Sequence, residues 1–120
     1  MIEFKDGVYT SVHVIVNGVE EVRSFCPEIL AAFEIANDIS NLLANRNAVV
    51  TSGLDGKHKW NSKHYSGEAF DFRINHYRKN GKIDEELVNA IFEDLKIALG
   101  PGYDVVMHKG SHIHIEWDPK

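Results

Sequence analysis

The chain has 120 residues, with 13 Lys and Arg against 18 Asp and Glu and a formal charge of −5. That length suits one domain with one core, and the acidic balance gives no electrostatic case for nucleic acid or an anionic membrane surface. No apolar run is long enough to span a bilayer, and the start "MIEFKDG" lacks the basic-then-apolar layout of a secretory leader. The expectation is a protein made in the cytoplasm, with no membrane insertion. A lone Cys26 cannot form an internal disulfide and is read as a packed thiol.

In chain order, "GVYTSVHVIVNGVEEVRSF" alternates and carries Asn17-Gly18, the strongest short hairpin signal. From Pro27 to about Asn45 the pattern turns helical. Ile29, Phe33, Ala36 and Leu43, with Leu30, Ile39 and Leu42 beside them, form a wide apolar stripe. Pro27 fits the first turn. "AVVTSG" is a short strand closed by Gly53, and residues 53 to 67 are polar, glycine-bearing loop. "EAFDFRI" alternates again, with Ala69, Asp71 and Arg73 on one face and Phe70 and Phe72 on the other. "NHYRKNGK" is a loop or hairpin tip. Asp84 caps a second helix that runs to about Leu99, with Leu87, Val88, Ile91, Phe92 and Leu95 on its apolar side. Gly100-Pro101 stops it. "YDVVMH" and "SHIHIEW" are the last two strands, joined by "KG". The order predicts an α+β fold: a mainly antiparallel sheet with helices on one face and the other face open to a site.

Seven histidines are many for this length, and five fall near two short stretches, around "SKHYSGEAFDFR" and near the C-terminus. Histidine is both the commonest metal ligand and the commonest acid or base. In "HIHIE" the strand alternation puts His112, His114 and Glu116 on one face and Ile113 and Ile115 on the other. A polar strand face is the plain alternative, because His-x-His alone is a weak signal. His64 and Asp71 are seven apart, so a straight strand would point them to opposite faces. They meet only if the chain turns between them, and Gly67 gives that freedom. Ala69 leaves space beside Asp71. His64, Asp71 and one histidine of "HIH" make three N/O ligands with a fourth position open, the pattern of catalytic rather than structural zinc.

Ser62-x-His64-x-x-Gly67-x-Ala69-x-Asp71 resembles, in full, the Ser-x-His-x-x-Gly-x-Ala-x-Asp signature of the M15 zinc peptidases. These are the D-alanyl-D-alanine carboxypeptidases and dipeptidases and the phage L-alanyl-D-glutamate endopeptidases, in a wider group with the hedgehog domain. "VVTSG" and "HIHIEW" fall where that family has its preceding strand and distal histidine. The resemblance covers roughly residues 48 to 118 and implies a single peptidase domain over 1–120 with the hedgehog/D-Ala-D-Ala peptidase fold. It implies zinc held by His64, Asp71 and His114, with Ser62 steadying a ligand. The implied reaction is hydrolysis of peptide bonds in peptidoglycan stem peptides by attack of zinc-bound water. The substrate would be cell-wall peptide, reached by a phage or prophage lysis module.

Two positions depart from that pattern. Many of these enzymes carry an acid three residues before the distal histidine, where this chain has Ser111. Many also carry an arginine after the Thr-Ser-Gly strand, where "LDGKHK" offers Lys57, His58 or Lys59 as the oxyanion partner. His112 is therefore the first choice for the base or transition-state role. Glu116 is the second, as base or as the group orienting a histidine. His58 and His108 are weaker. Trp60 could wall a cleft, whereas Trp117 is read as packing. The alternatives to a peptidase are a zinc-binding module without hydrolysis and a structural domain of a phage or host assembly.

Overall fold

The computed structural model describes residues 1–54 and 66–119, without the side chains of residues 12–16 and 21. Its elements in order are β1 (Glu3–Phe4), β2 (Ser11–Val16), β3 (Val19–Ser24), α1 (Pro27–Ala44), β4 (Val49–Ser52), β5 (Ala69–Arg73), β6 (Arg78–Lys79), β7 (Lys82–Ile83), α2 (Glu85–Leu99), β8 (Tyr103–His108) and β9 (His112–Trp117). Five strands form one sheet in the order β1-β4-β5-β9-β8. β1 runs parallel to β4 and the other neighbours are antiparallel. This is an α+β architecture, a mixed and mostly antiparallel sheet with two helices packed against it.

The alternation of β5 and β9 divides the sheet. Phe70, Phe72, Ile113 and Ile115 are fully buried and form a core with Ile29, Phe33, Ile91 and Leu95 of the helices. Phe33 packs edge-on against Phe25 and Phe70, at centroid distances of 4.9 and 4.6 Å, which suits the opposed charge of ring face and ring edge. Asp71, His112, His114 and Glu116 consequently sit on the opposite side of the same two strands.

α1 buries Ile29, Phe33 and Ala36 of the expected stripe and packs Ile39 against the core, but leaves the stripe's three leucines outside. Leu30 is 52 %, Leu42 82 % and Leu43 37 % exposed, while Ala32, Asn37 and Ser40 are buried. Partners explain the two buried polar positions. Asn37 Oδ1 accepts the Ala48 backbone N–H at 2.9 Å. Ser40 Oγ donates to the Arg46 carbonyl at 2.7 Å and lies 2.6 Å from the Tyr77 hydroxyl. A serine has one proton, so the Tyr77 O–H is the donor in the second bond. Two polar residues thereby tie the helix to the segments around it, and the large leucines are left facing outward.

The other elements follow their local signals. Asn17 and Gly18 both take positive φ, 52° and 80°, as a tight β2–β3 hairpin needs. Asp84 accepts the Leu87 N–H at 3.1 Å and caps α2. "NHYRKNGK" contains the small β6–β7 hairpin around Asn80-Gly81. Glu3–Phe4 is a strand that the sequence pattern does not announce. Its backbone bonds, Glu3 N–H to Ala48 O at 2.9 Å and Lys5 N–H to Val50 O at 2.8 Å, come from a distant partner. No helix among the described residues is long and apolar enough to cross a membrane.

Candidate metal centre

β5 and β9 pair with Asp71 directly opposite His114, and with Arg73 opposite His112. Asp71 is buried, with 9 % of the residue exposed. Its Oδ1 lies 2.7 Å from His114 Nδ1, and its Oδ2 lies 3.7 Å from His112 Nε2. The other His114 nitrogen, Nε2, is 2.9 Å from Glu116 Oε1. A carboxylate thus faces each nitrogen of one imidazole. Both nitrogens can donate only in the imidazolium form. The hydrogen bond to Asp71 accordingly raises the His114 pKa, against the opposing pull of burial and with help from Glu116.

The neighbouring backbone sets this up. The β4–β5 register shifts between Val50 and Ser52, so Ser52 stands opposite Asp71 and Thr51 is the extra residue. Such bulges re-aim side chains beside sites. Gly67 has φ +74°, and a Cβ there would come within 2.1 Å of the Ser24 carbonyl oxygen. Its own carbonyl accepts the Cys26 N–H at 3.0 Å. Gly67 therefore serves two purposes. It makes the turn before β5, and it lets that turn press onto the junction of β3 and α1.

Ser111 Oγ sits 2.7 Å from His112 Nδ1. The hydroxyl at the departing position therefore orients the His112 ring, and the other nitrogen points toward Asp71. The His108 ring stacks on His112 at 4.5 Å. Trp117 packs edge-on against Tyr103 at 4.9 Å and closes over Gly102. His64, Ser62, Lys57, His58 and Trp60 lie outside the described residues.

One group of possible ligands escaped the sequence reading. Asp104, Glu116 and Asp118 are half-buried and offer ligand atoms within 4.8 Å of one another, a cluster compatible with metal binding. Asp104 is the cross-strand partner of Glu116, and Asp118 follows Glu116 at the same-face spacing of two. Writing "YDVVMHKGSHIHIEWD" as a hairpin would have placed all three together.

The His114 environment fits a cation. Two donors on a tetrahedral zinc, each at about 2.0–2.2 Å, stand roughly 3.3 Å apart. Asp71 Oδ1 and His114 Nδ1 are 2.7 Å apart with a proton between them. Replacing that proton by an ion needs a parting of roughly half an ångström. Glu116 on the far nitrogen is the kind of partner that fixes the tautomer of a ligating histidine.

Compared with known proteins, the chain matches no protein-family model, no curated protein and no solved structure.

Proposed function

We propose that the chain is a zinc peptidase of peptidoglycan stem peptides over its whole length, with His64, Asp71 and His114 as the metal ligands. The observation that carries this reading is the pairing of Asp71 with His114. Two residues singled out from separate motifs stand opposite each other, with their donor atoms 2.7 Å apart. Zinc, when bound, supplies a Lewis acid that brings the pKa of water toward neutrality.

The chain's own residues do the rest. Asp71 and His114 supply one oxygen and one nitrogen, and Glu116 holds the His114 ring by its far nitrogen. That hydrogen bond supports the orienting role for Glu116. His112, half-buried with Nε2 toward Asp71, is the base. It takes the proton of the water that adds to the peptide carbonyl carbon, and it delivers that proton to the amine as the C–N bond breaks. Ser111 keeps the ring in place from Nδ1. Lys57 or His58 is the proposed oxyanion partner, and Ser62 the residue that steadies a ligand.

The test is cleavage of stem peptides by the zinc-loaded full chain and three variants. His114→Ala should lose zinc and cleavage together. His112→Ala should keep zinc and lose cleavage, while Glu116→Ala keeps measurable cleavage. Loss in Glu116→Ala with activity retained in His112→Ala would reverse the assignment of the base. A zinc-loaded chain that leaves every stem peptide intact would end the peptidase reading.

A metal-binding module without hydrolysis is the second reading, and the Asp104, Glu116, Asp118 cluster favours it. An all-oxygen ligand set suits a hard cation such as calcium, magnesium or manganese better than zinc. Calorimetric titration that finds calcium or manganese bound more tightly than zinc, with Asp104→Asn abolishing it, would select this reading.

A further inference from the structure

β8 is an edge of the five-stranded sheet, with no strand on its outer side among the described residues. Its six residues pair with β9 without a bulge from Tyr103 to His108. It contains no proline and no lysine, two usual guards of such an edge. Asp118 N–H donates to Gly102 O at 2.9 Å. The alternation of an antiparallel ladder then turns the backbone groups of Gly102, Asp104, Val106 and His108 toward β9. Those of Val105 and Met107 point outward from the sheet.

The side chains along this edge are self-complementary. Asp104, Val106 and His108 share the face of β8 that pairs with Glu116, His114 and His112. They read acid, apolar, imidazole, with Val106 at the centre and 44 % exposed. We propose that β8 pairs antiparallel with β8 of a second copy of this chain, about a twofold axis through Val106. Val106 then meets its own copy, and Asp104 of each chain stands opposite the partner's His108. Val105 and the partner's Met107 exchange the outward backbone bonds. The alternative register centred on Val105 would set Asp104 against a valine instead.

This arrangement joins two sheets into one of ten strands and closes on itself, as an isologous twofold contact must. Among the described residues the opposite edge is β1, which has only two residues and offers little for further growth. It also addresses the acidic cluster. Asp104 and Glu116 are like charges directly opposite each other, which is unfavourable. An imidazole N–H from the partner's His108 donates to the Asp104 carboxylate whether the ring is neutral or charged, and a carboxylate accepts several donors at once. The partner would therefore contribute a side chain beside each candidate metal centre. The pairing does not depend on the peptidase reading.

Sedimentation of the full chain tests this. The expected result is a dimer, with His108→Asp raising the dissociation constant about tenfold by placing like charges opposite each other. The exchange Asp104→His with His108→Asp should restore the dimer, since the pairing is symmetric. On a Cys26→Ser background, Val106→Cys should form a disulfide dimer on mild oxidation, and Val22→Cys should not. Circular dichroism of each variant reports that it is folded. A chain that is monomeric at every concentration, with Val106→Cys no faster to cross-link than Val22→Cys, would overturn the proposal. So would a dimer that His108→Asp leaves unchanged and Val106→Cys does not trap, or a β8 edge that pairs only with added extended peptide.

Discussion

Asp71 and His114 face each other across the β5–β9 ladder, with carboxylate oxygen and imidazole nitrogen 2.7 Å apart. The pairing register, not loop geometry, fixes this approach. A one-residue slip of β9 against β5 would turn His114 to the core face and leave Asp71 on the other. The relationship therefore has the same rigidity as the sheet.

Removing one member should show whether the pair holds a metal. Asp71→Asn keeps the shape and removes the charge. It should weaken zinc binding by roughly 100-fold or more, since even an outer partner of a ligand is worth tenfold to a hundredfold. Competition with a zinc indicator measures it. Unchanged affinity would remove Asp71 from the ligand set.

The metal-free protein should show a pH dependence of known sign. The folded His114 pKa is raised from its ordinary value of 6.5, chiefly by the Asp71 hydrogen bond. Its contribution to stability is present below that value and is lost as pH rises through the raised pKa. His76 runs the other way, since burial lowers its pKa. Its contribution is present above the ordinary value and falls away as pH drops through that value toward the lowered one. Urea unfolding in the presence of chelator, across a pH series, reads both. Asp71→Asn should flatten the alkaline side, and zinc binding should strengthen as the pH rises because a proton must leave His114.

The Ser40–Tyr77 bond gives a prediction about asymmetry. Tyr77→Phe removes the donor and leaves Ser40 still bonded to the Arg46 carbonyl. Its cost should be about 1 kcal/mol. Ser40→Ala strands a buried phenolic O–H and should cost more, up to about 3 kcal/mol. Equal costs in chemical denaturation would contradict the assigned donor.

Gly67→Ala should be among the more damaging single substitutions outside the core. It combines a positive φ with a Cβ placed 2.1 Å from the Ser24 carbonyl oxygen. A loss of about 2–3 kcal/mol is expected. Weaker zinc binding should accompany it, because the turn before β5 would shift. A thermal melt and a zinc titration on one preparation check both.

Periodicity and turn chemistry made most elements legible. Asn17-Gly18, Asp84 and Gly100 each act within a few residues, so their neighbours in sequence are their physical partners. The alternation in "AFDFR" and "HIHIE" likewise placed Asp71, His112, His114 and Glu116 on one side of the sheet. What the sequence did not disclose depends on distant partners. β1 exists because Val49 and Val50 lie beside Glu3 and Phe4. Asn37 and Ser40 are inside because Ala48, Arg46 and Tyr77 satisfy them, so their polarity misdirected the stripe toward Leu42 and Leu43. The Asp104, Glu116, Asp118 cluster needed the β8–β9 register, which motif reading alone does not supply.

The zinc-peptidase assignment is tested most directly by zinc content together with mass spectrometry of digested muropeptides, for the unaltered chain and His114→Ala. The expected result is a single equivalent of zinc and newly cut stem peptides for the first, and neither for the second. A chain that carries zinc through His114 and leaves every muropeptide uncut would contradict it.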